Sequence, residues 1–205
     1  MSADSVIVVA TGTANTASVM AALGRLGEKP RISEDPADVD KARALILPGV
    51  GTFGAAMAKL EDDGMVDPLR ARLESGRPTL AICLGMQILC SSSDENPEAQ
   101  GLGIVNSRIT RFGDDVRVPQ FGWNSMKADA GCRFLTDGYA YFANSYRLES
   151  APGGWSTAMA GYGGPFVAAM EKGMILACQF HPELSGRWGL ELIERWLGAV
   201  GGESC

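Results

Sequence analysis

The sequence predicts an α/β protein with a doubly wound, mostly parallel central sheet flanked by helices, and with additional antiparallel strands in the C-terminal half. In the first half, short apolar runs rich in β-branched residues alternate with segments of helical periodicity, which is typical of a parallel sheet. In the second half, short strand-like runs follow one another between Gly, Pro and Asp, which is typical of antiparallel strands. Because parallel sheets bind ligands beyond the carboxyl ends of their strands, we expect function in the turns after those strands.

The first half contains three predicted strand–helix units. The strand SVIVVA precedes the helix TASVMAALGRLG, which carries Val19, Met20, Leu23 and Leu26 at helical spacing. The strand ALILPGVG precedes helical material over FGAAMAKLEDDGMVDPLRARLESG. The strand PTLAIC leads directly into LGMQILCSS, which we predict to be a helix, and the polar stretch SSSDENPEAQGLG is predicted to be a mobile loop.

The second half is predicted to hold short strands and a closing helix. The strand-like runs are GLGIVNSRITRF, VPQFGWNSMK, YAYFANSYRLES, PFVAAMEKG and MILACQF. The closing helix GLELIERWLGAV places Leu190, Ile193, Trp196 and Leu197 on one face. Because no repeat, linker or block of charge marks a boundary, we expect one domain over residues 1–205.

Composition narrows the class of partner and the cellular compartment. A net charge of -6 argues against nucleic acid or an anionic membrane surface, so a small molecule or another protein is the better expectation. The five cysteines are dispersed and lack metal-site spacing, which predicts free thiols in a reducing cytoplasm, with no metal and no cofactor. The early apolar run VIVVA is too short for a signal peptide or a membrane span, so we expect a soluble cytoplasmic protein.

Cys83 lies where a buried strand gives way to a helix, with Gly85 allowing a tight turn. This arrangement resembles the nucleophile elbow of acyl-transfer enzymes, in which a side chain is exposed on a strand-to-helix turn. Backbone N–H groups at the start of the helix would favour a thiolate and could hold an oxyanion. The alternative is that Cys83 is a small buried residue that ends a core strand.

His181 is the only histidine in the chain and therefore the only imidazole that could serve a thiolate nucleophile. It follows the apolar run MILACQF, and Glu183 comes two residues later, across Pro182. A carboxylate bonded to one imidazole nitrogen fixes the tautomer and leaves the other nitrogen for the thiol, as in a Cys-His-Glu triad. Taken singly, His181 could be a structural strand-end residue and Glu183 a solvated loop carboxylate.

The segments PGVGTFG, ICLGMQIL and QFHPELSG, in this order and spacing, resemble those of the class I (triad) glutamine amidotransferases. With VPQFGWN, YFANSY and GLELIERWL, the chain is similar over most of its length to the glutaminase subunits of imidazole glycerol phosphate synthase. The resemblance implies a flavodoxin-like layout and hydrolysis of glutamine to glutamate and ammonia through a glutamyl thioester. It assigns Cys83 as nucleophile, His181 as general base and then acid, and Glu183 as the residue that orients His181.

Further roles are implied by the same resemblance. The oxyanion site would use Leu84 and a strand whose peptide can flip, at Gly49, Val50 and Gly51. The amino-acid end of glutamine would be held by Gln87, Asn144, Ser145 and Tyr146. Ammonia would pass to a (β/α)8-barrel cyclase, the partner in a heterodimer of histidine biosynthesis, at a surface that includes Asn15 and Trp123. The alternatives are a subunit that serves a different synthase and a catalytically silent binding subunit.

The chain departs from the family pattern at two places. The first turn, ATGTAN, keeps Gly12 and Asn15 but lacks the acidic and aromatic pair common in the family. Gln120 and Asn144 stand where relatives carry histidine. Amide side chains can replace the hydrogen bonds of a neutral imidazole but cannot carry its proton, so we expect these positions to bind and align while His181 moves protons.

Overall fold

Strands and helices alternate along the first half of the chain in the computed structural model, which describes residues 6–11 and 16–202. This half comprises β1 (Val6–Val9), α1 (Thr16–Arg25), β2 (Arg31–Ser33), α2 (Pro36–Lys41), β3 (Ala44–Gly49), α3 (Phe53–Asp62), α4 (Val66–Glu74), β4 (Thr79–Cys83), α5 (Leu84–Gln87) and β5 (Cys90–Ser93). The second half comprises β6 (Val105–Arg111), β7 (Gln120–Ala128), β8 (Gly138–Asn144), β9 (Tyr146–Arg147), β10 (Ser156–Gly161), β11 (Pro165–Lys172), β12 (Ile175–Cys178) and α6 (Gly186–Gly202).

One nine-stranded sheet organises the molecule, in the order β2-β1-β3-β4-β12-β11-β10-β7-β8. The pairs from β2 to β12 are parallel, and those from β12 to β8 are antiparallel. Strands β5, β6 and β9 form a second, small sheet. The predicted fold class is confirmed, and the antiparallel strands of the second half extend the parallel sheet itself.

Both faces of the parallel strands are buried, which explains their continuous apolar sequence. In β1, Val6 and Val8 pack into the core on one face of the sheet, while Ile7 and Val9 pack into the core on the other. Helix α6 covers the first of these cores with Ile193, the fully buried Trp196 and other side chains of its predicted apolar face.

The predicted helix over LGMQILCSS is wrong beyond Gln87. Helix α5 spans only Leu84–Gln87, and the chain then turns into β5. The carbonyls of Ile88 and Leu89 accept hydrogen bonds from the N–H groups of Leu102 and Val105, at 2.7 and 2.9 Å. These long-range bonds take carbonyls that a continuing helix would have used, so strand pairing prevails over helical periodicity here.

Other local features also differ from the sequence prediction. The helical material after β3 divides into α3 and α4, and the short elements β2, α2 and β10 had no clear pattern in the sequence. The predicted mobile loop is tied to α3, because the N–H groups of Phe53 and Gly54 donate to Glu95 Oε2 at 2.7 Å and to Asn96 Oδ1 at 2.9 Å. Side chains that cap a helix across 42 residues of sequence cannot be recognised from local composition.

Within residues 6–11 and 16–202, none of the helices combines the length and apolar character that crossing a bilayer requires. The cytoplasmic location stays a prediction.

Candidate active site

A sharp elbow at the end of β4 presents Cys83. Its backbone has φ 54° and ψ −110°, and it is the one non-glycine residue with positive φ among the described residues. A β-carbon at Gly85 would lie 1.9 Å from the carbonyl oxygen of Leu47, so the turn can pass β3 this closely only with glycine. The strained cysteine and the glycine two residues later are the features of a nucleophile elbow.

The elbow differs from the prediction in the length of its helix. Because α5 is a single turn, it aligns fewer peptide dipoles behind Cys83 than the longer predicted helix would. Hydrogen-bond donors and charged neighbours must therefore supply most of any stabilisation of a thiolate at this position.

Strand register places the predicted oxyanion segment against the elbow. Gly49, at the end of β3, is paired in the parallel ladder with Cys83 at the end of β4. The Thr11 hydroxyl donates to the carbonyl of Pro48 at 3.1 Å and ties this segment to the end of β1. Val50 and Gly51 continue from Gly49 into the wall of the cavity beside Cys83.

His181 and Glu183 form a buried hydrogen-bonded pair beyond β12. Imidazole Nδ1 donates to Glu183 Oε1 at 2.8 Å, which leaves Nε2 for Cys83. The turn that carries both residues is held by Ser185, whose hydroxyl donates to the carbonyl of His181 at 2.7 Å and accepts the N–H of Tyr141 at 3.0 Å. The three predicted triad residues are thus brought together from β4 and from the turn after β12.

The neighbours of His181 affect its pKa more strongly than burial does. Desolvation alone would lower the pKa of the imidazole, but hydrogen bonds to Cys83 and Glu183, together with their negative charges, raise this pKa to about 10. The other thiols that the structure describes have raised pKa values. Burial raises the pKa of Cys90 to about 12, that of Cys132 to about 11, and that of Cys178 well above its ordinary range.

A cavity of about 290 Å³ opens beside the elbow. It contains seven of the eight residues predicted for the oxyanion and substrate sites, together with Cys83 and His181. The eighth, Gly49, lies next to Val50 in the chain and is paired with Cys83. The residues that line the cavity are Val50, Gly51, Cys83, Leu84, Gln87, Glu95, Phe121, Ala143, Asn144, Ser145, Tyr146 and His181.

Two predicted substrate residues are oriented by one backbone carbonyl. The backbone carbonyl of Tyr146 accepts hydrogen bonds from Gln87 Nε2 at 3.2 Å and from Asn144 Nδ2 at 3.0 Å. With its amide nitrogen engaged, Asn144 is left with a buried Oδ1 that has no protein donor. Gln120, the cross-strand partner of Asn144, likewise buries an Oε1 without a donor. The two amide residues Gln120 and Asn144 therefore face each other across β7 and β8.

Sequence reasoning missed two residues of the site. Glu95, in the stretch predicted to be a mobile loop, contributes a carboxylate to the cavity. Gln179 is fully buried next to Cys83, with its Nε2 3.7 Å from the sulfur. The signal for Gln179 was its position two residues before His181, since alternate residues of an extended chain point the same way. No local signal pointed to Glu95.

Exposed aromatic rings cover the sheet face near the cavity. Phe121 and Trp123 are 71% and 58% exposed, and both rings make edge contacts with Tyr141 at centroid distances of 6.3 and 6.1 Å. These rings, with the 66% exposed Tyr139, form what we call the aromatic patch. Trp123, predicted at the partner surface, is thus exposed, whereas Asn15 lies outside the described residues.

Comparisons with known proteins agree with this geometry. Residues 8–197 match the family model described as glutamine amidotransferase class-I. The chain is 40% identical over 189 residues to the imidazole glycerol phosphate synthase subunit HisH of Desulfitobacterium hafniense (strain DSM 10664 / DCB-2), covering 90% of both chains. It is 37% identical over 193 residues to the chloroplastic imidazole glycerol phosphate synthase hisHF of Arabidopsis thaliana, covering 91% of this chain and 33% of that protein. A crystal structure of a glutamine amidotransferase shares the fold, with a TM-score of 0.77 and 23% identity over 96% of this chain and 98% of that one.

Proposed function

The chain belongs to the class-I glutamine amidotransferase family, and from this membership we propose that it is the glutaminase subunit of an imidazole glycerol phosphate synthase. It hydrolyses glutamine to glutamate and ammonia, and the ammonia is used by a partner subunit. The observation that carries the proposal is the juxtaposition of Cys83 with the buried His181–Glu183 pair at the edge of one cavity.

The reaction begins with a thiolate and a protonated imidazole. Because hydrogen bonds to Cys83 and Glu183 and the negative charges of these neighbours raise the pKa of His181 to about 10, the imidazole holds a proton at neutral pH. The thiolate attacks the side-chain carbonyl carbon of glutamine and forms a tetrahedral oxyanion. His181 then donates its proton to the departing nitrogen, and ammonia leaves the glutamyl thioester.

Hydrolysis of the thioester returns the site to its starting state. His181, now neutral, accepts a proton from a water molecule that attacks the thioester carbonyl. The carbon–sulfur bond breaks, and glutamate and the thiolate form. Glu183 holds Nδ1 throughout, so that the same nitrogen of the imidazole faces the reacting atoms in both steps.

The oxyanion is held by backbone N–H groups. We assign this role to Leu84, at the start of α5, and to the segment of Gly49, Val50 and Gly51. The support for this assignment is the pairing of Gly49 with Cys83, which sets the segment beside the sulfur. Removal of one such donor costs about 3 kcal/mol of transition-state stabilisation in enzymes of this kind.

The amino-acid end of glutamine carries an ammonium group and a carboxylate. The cavity offers hydrogen-bond acceptors for the ammonium group. The unpartnered Oδ1 of Asn144 and the carboxylate of Glu95 can both accept hydrogen bonds from an ammonium group. Gln87, Ser145 and Tyr146 complete the binding wall. A donor from the substrate would satisfy the buried oxygen of Asn144, which is otherwise costly to leave unpaired.

The partner is a (β/α)8-barrel cyclase that binds the aromatic patch. Exposed aromatic side chains are enriched at protein interfaces, and Phe121 belongs both to the patch and to the cavity. A partner seated there would lie next to the site where ammonia is released. The Arabidopsis relative supports such an assembly, because the region that matches this chain covers only 33% of a protein that carries the synthase name.

A purified complex of the chain with its candidate cyclase tests the proposal. We expect glutamate release to depend on Cys83, so that Cys83→Ala abolishes it while product formation from added ammonia survives in the partner. A glutamine-like electrophile should label Cys83 and spare Cys90, Cys132 and Cys178, whose thiol pKa values are raised by burial. Glutamate release by the Cys83→Ala complex would rule out the proposed mechanism, and failure of the cyclase to bind would favour a different synthase partner.

A further inference from the structure

Gln179 lies beside the reactive sulfur because of strand register. Strand β12 is parallel to β4, with Cys178 paired with Ile82, so that Gln179, the first residue after β12, lies next to Cys83, the last residue of β4. The N–H of Gln179 donates to the carbonyl of Ala168 at 2.8 Å, which extends the pairing with β11 and fixes the backbone at this point. The side chain is fully buried.

A relay of amides runs from the wall of the cavity to the sulfur. Gln87 Nε2 donates to the carbonyl of Tyr146 at 3.2 Å and to Gln179 Oε1 at 3.0 Å. Gln179 Nε2 in turn points at Cys83 Sγ across 3.7 Å. The relay therefore has three side chains and one backbone carbonyl.

The carbonyl of Tyr146 fixes the orientation of both side-chain amides in the relay. A backbone carbonyl can only accept, so Gln87 must turn its amide nitrogen toward Tyr146 and Gln179. Gln179 must then present its oxygen to Gln87, which leaves its nitrogen, a donor, facing the sulfur. Reversal of either amide would set two donors or two acceptors against each other.

We propose that Gln179 is a positioning residue for glutamine hydrolysis, which donates a hydrogen bond to the Cys83 thiolate and holds the sulfur in place for attack. The proposal rests on the proposed role of Cys83 as nucleophile. A hydrogen bond to an ionised acceptor is shorter and stronger than one to a neutral acceptor, so the donor favours the thiolate over the thiol. This donor takes the place of the long helix that the elbow lacks.

Two substitutions distinguish a hydrogen-bond donor to Cys83 from a side chain that only packs in the core. Gln179→Glu keeps the size of the side chain and an acceptor for Gln87, but it sets a carboxylate oxygen against the sulfur. Gln179→Met keeps a similar length and removes the donor without adding charge. Gln100→Glu, at an exposed position outside the site, is the matched control for the change in charge.

The readout is the pH dependence of alkylation of Cys83 by iodoacetamide in the full chain, followed by mass spectrometry of the Cys83 peptide. We expect the midpoint to move upward by about one pH unit or more in both Gln179 variants, because the thiolate loses a donor that favours it over the thiol. The control should match the wild type. In the complex with the cyclase, kcat for glutamate release by Gln179→Glu should fall while KM changes little, because this variant keeps the acceptor for Gln87 and Gln179 itself does not line the substrate cavity.

Thermal denaturation establishes whether each variant folds. If the buried carboxylate prevents Gln179→Glu from folding, Gln179→Met alone tests the inference. A Gln179→Met chain that folds and alkylates with the wild-type pH profile would overturn the inference. This failure is distinct from failure of the proposed function, which would show as glutamate release by Cys83→Ala.

Discussion

Two opposing effects of its surroundings compete to set the pKa of His181. Burial opposes the charged imidazole, whereas Cys83 and Glu183 bond to it and carry the opposite charge. Since the two neighbours prevail, the ring is protonated at neutral pH and becomes neutral only as pH rises through about 10. A proton for the departing ammonia is therefore in place before glutamine binds.

This competition can be measured directly, because His181 is the only histidine and gives a single set of imidazole resonances. We expect an NMR titration of the wild-type chain to show a midpoint near pH 10. Cys83→Ala and Glu183→Gln should each lower the midpoint. The double variant should titrate below the unperturbed value of about 6.5, because only burial then remains. A wild-type midpoint near or below 6.5 would contradict the thiolate–imidazolium pair.

At this scale, the sequence motifs pointed to three residues that the structure brings together, Cys83, His181 and Glu183, and to most residues of the cavity wall, while their catalytic roles stay a proposal. Gln179 and Glu95 could not be assigned in the same way. The position of Gln179 next to Cys83 depends on β12 pairing with β4, and strand order is a property of the whole sheet. The contribution of Glu95 depends on a loop that folds back onto α3, far away in sequence.

Among the elements, the segment after the elbow is the one in which local periodicity misled the prediction, because a strand follows the first helical turn. The apolar spacing of LGMQILC fits a helix, yet the chain leaves the helix after one turn and Cys90 pairs with Val105. The buried side chains of Ile88 and Leu89 are compatible with either structure. The choice is made by hydrogen bonds to residues 102–105, which lie beyond any local window.

The segment after β3 contains a glycine with positive φ at the edge of the site. Gly51 has φ 98°, is exposed, and lines the cavity. A β-branched residue is strained at this φ, so substitution favours a rotated peptide. Rotation would redirect the N–H group that we assign to the oxyanion.

We therefore expect Gly51→Val to reduce partner-stimulated glutamate release by about 10²-fold, the usual effect of losing one oxyanion donor. The free energy of unfolding should fall by only about 1–3 kcal/mol, because the strain is local. Gly76→Val is the matched control, since Gly76 is also exposed, has φ 71° and lies far from the site in the turn after α4. Equal loss of activity in both variants, measured with the cyclase and its nucleotide substrate, would show that strain anywhere in the chain suffices.

At the scale of the whole molecule, one nine-stranded sheet carries both the candidate active site and the aromatic patch that we propose binds the partner. Its parallel half places the ends of β3, β4 and β12 side by side, which gathers the proposed oxyanion segment, Cys83 and His181. Its antiparallel half ends in β7 and β8, which carry the aromatic patch on one side and reach the cavity through Phe121 and Asn144. The alternation of strands and helices predicted the first half well, whereas the position of the antiparallel strands in the same sheet required long-range pairing.

The assembly should depend on Trp123 more than on other exposed apolar residues. Trp123 packs edge-on against Tyr141 and keeps 58% of its surface exposed, so a partner can bury a large, rigid ring at small conformational cost. We expect Trp123→Ala to weaken binding of the cyclase by about 2 kcal/mol or more, roughly thirtyfold in Kd, as truncation of an interface hot spot does. Ile32→Ala is the control, because Ile32 is 44% exposed but lies on β2, at the opposite edge of the sheet. Titration calorimetry of both variants with the cyclase distinguishes the two surfaces. If Ile32→Ala weakens binding and Trp123→Ala does not, the cyclase binds at the β2 edge, and the aromatic patch would not be the route by which ammonia reaches it.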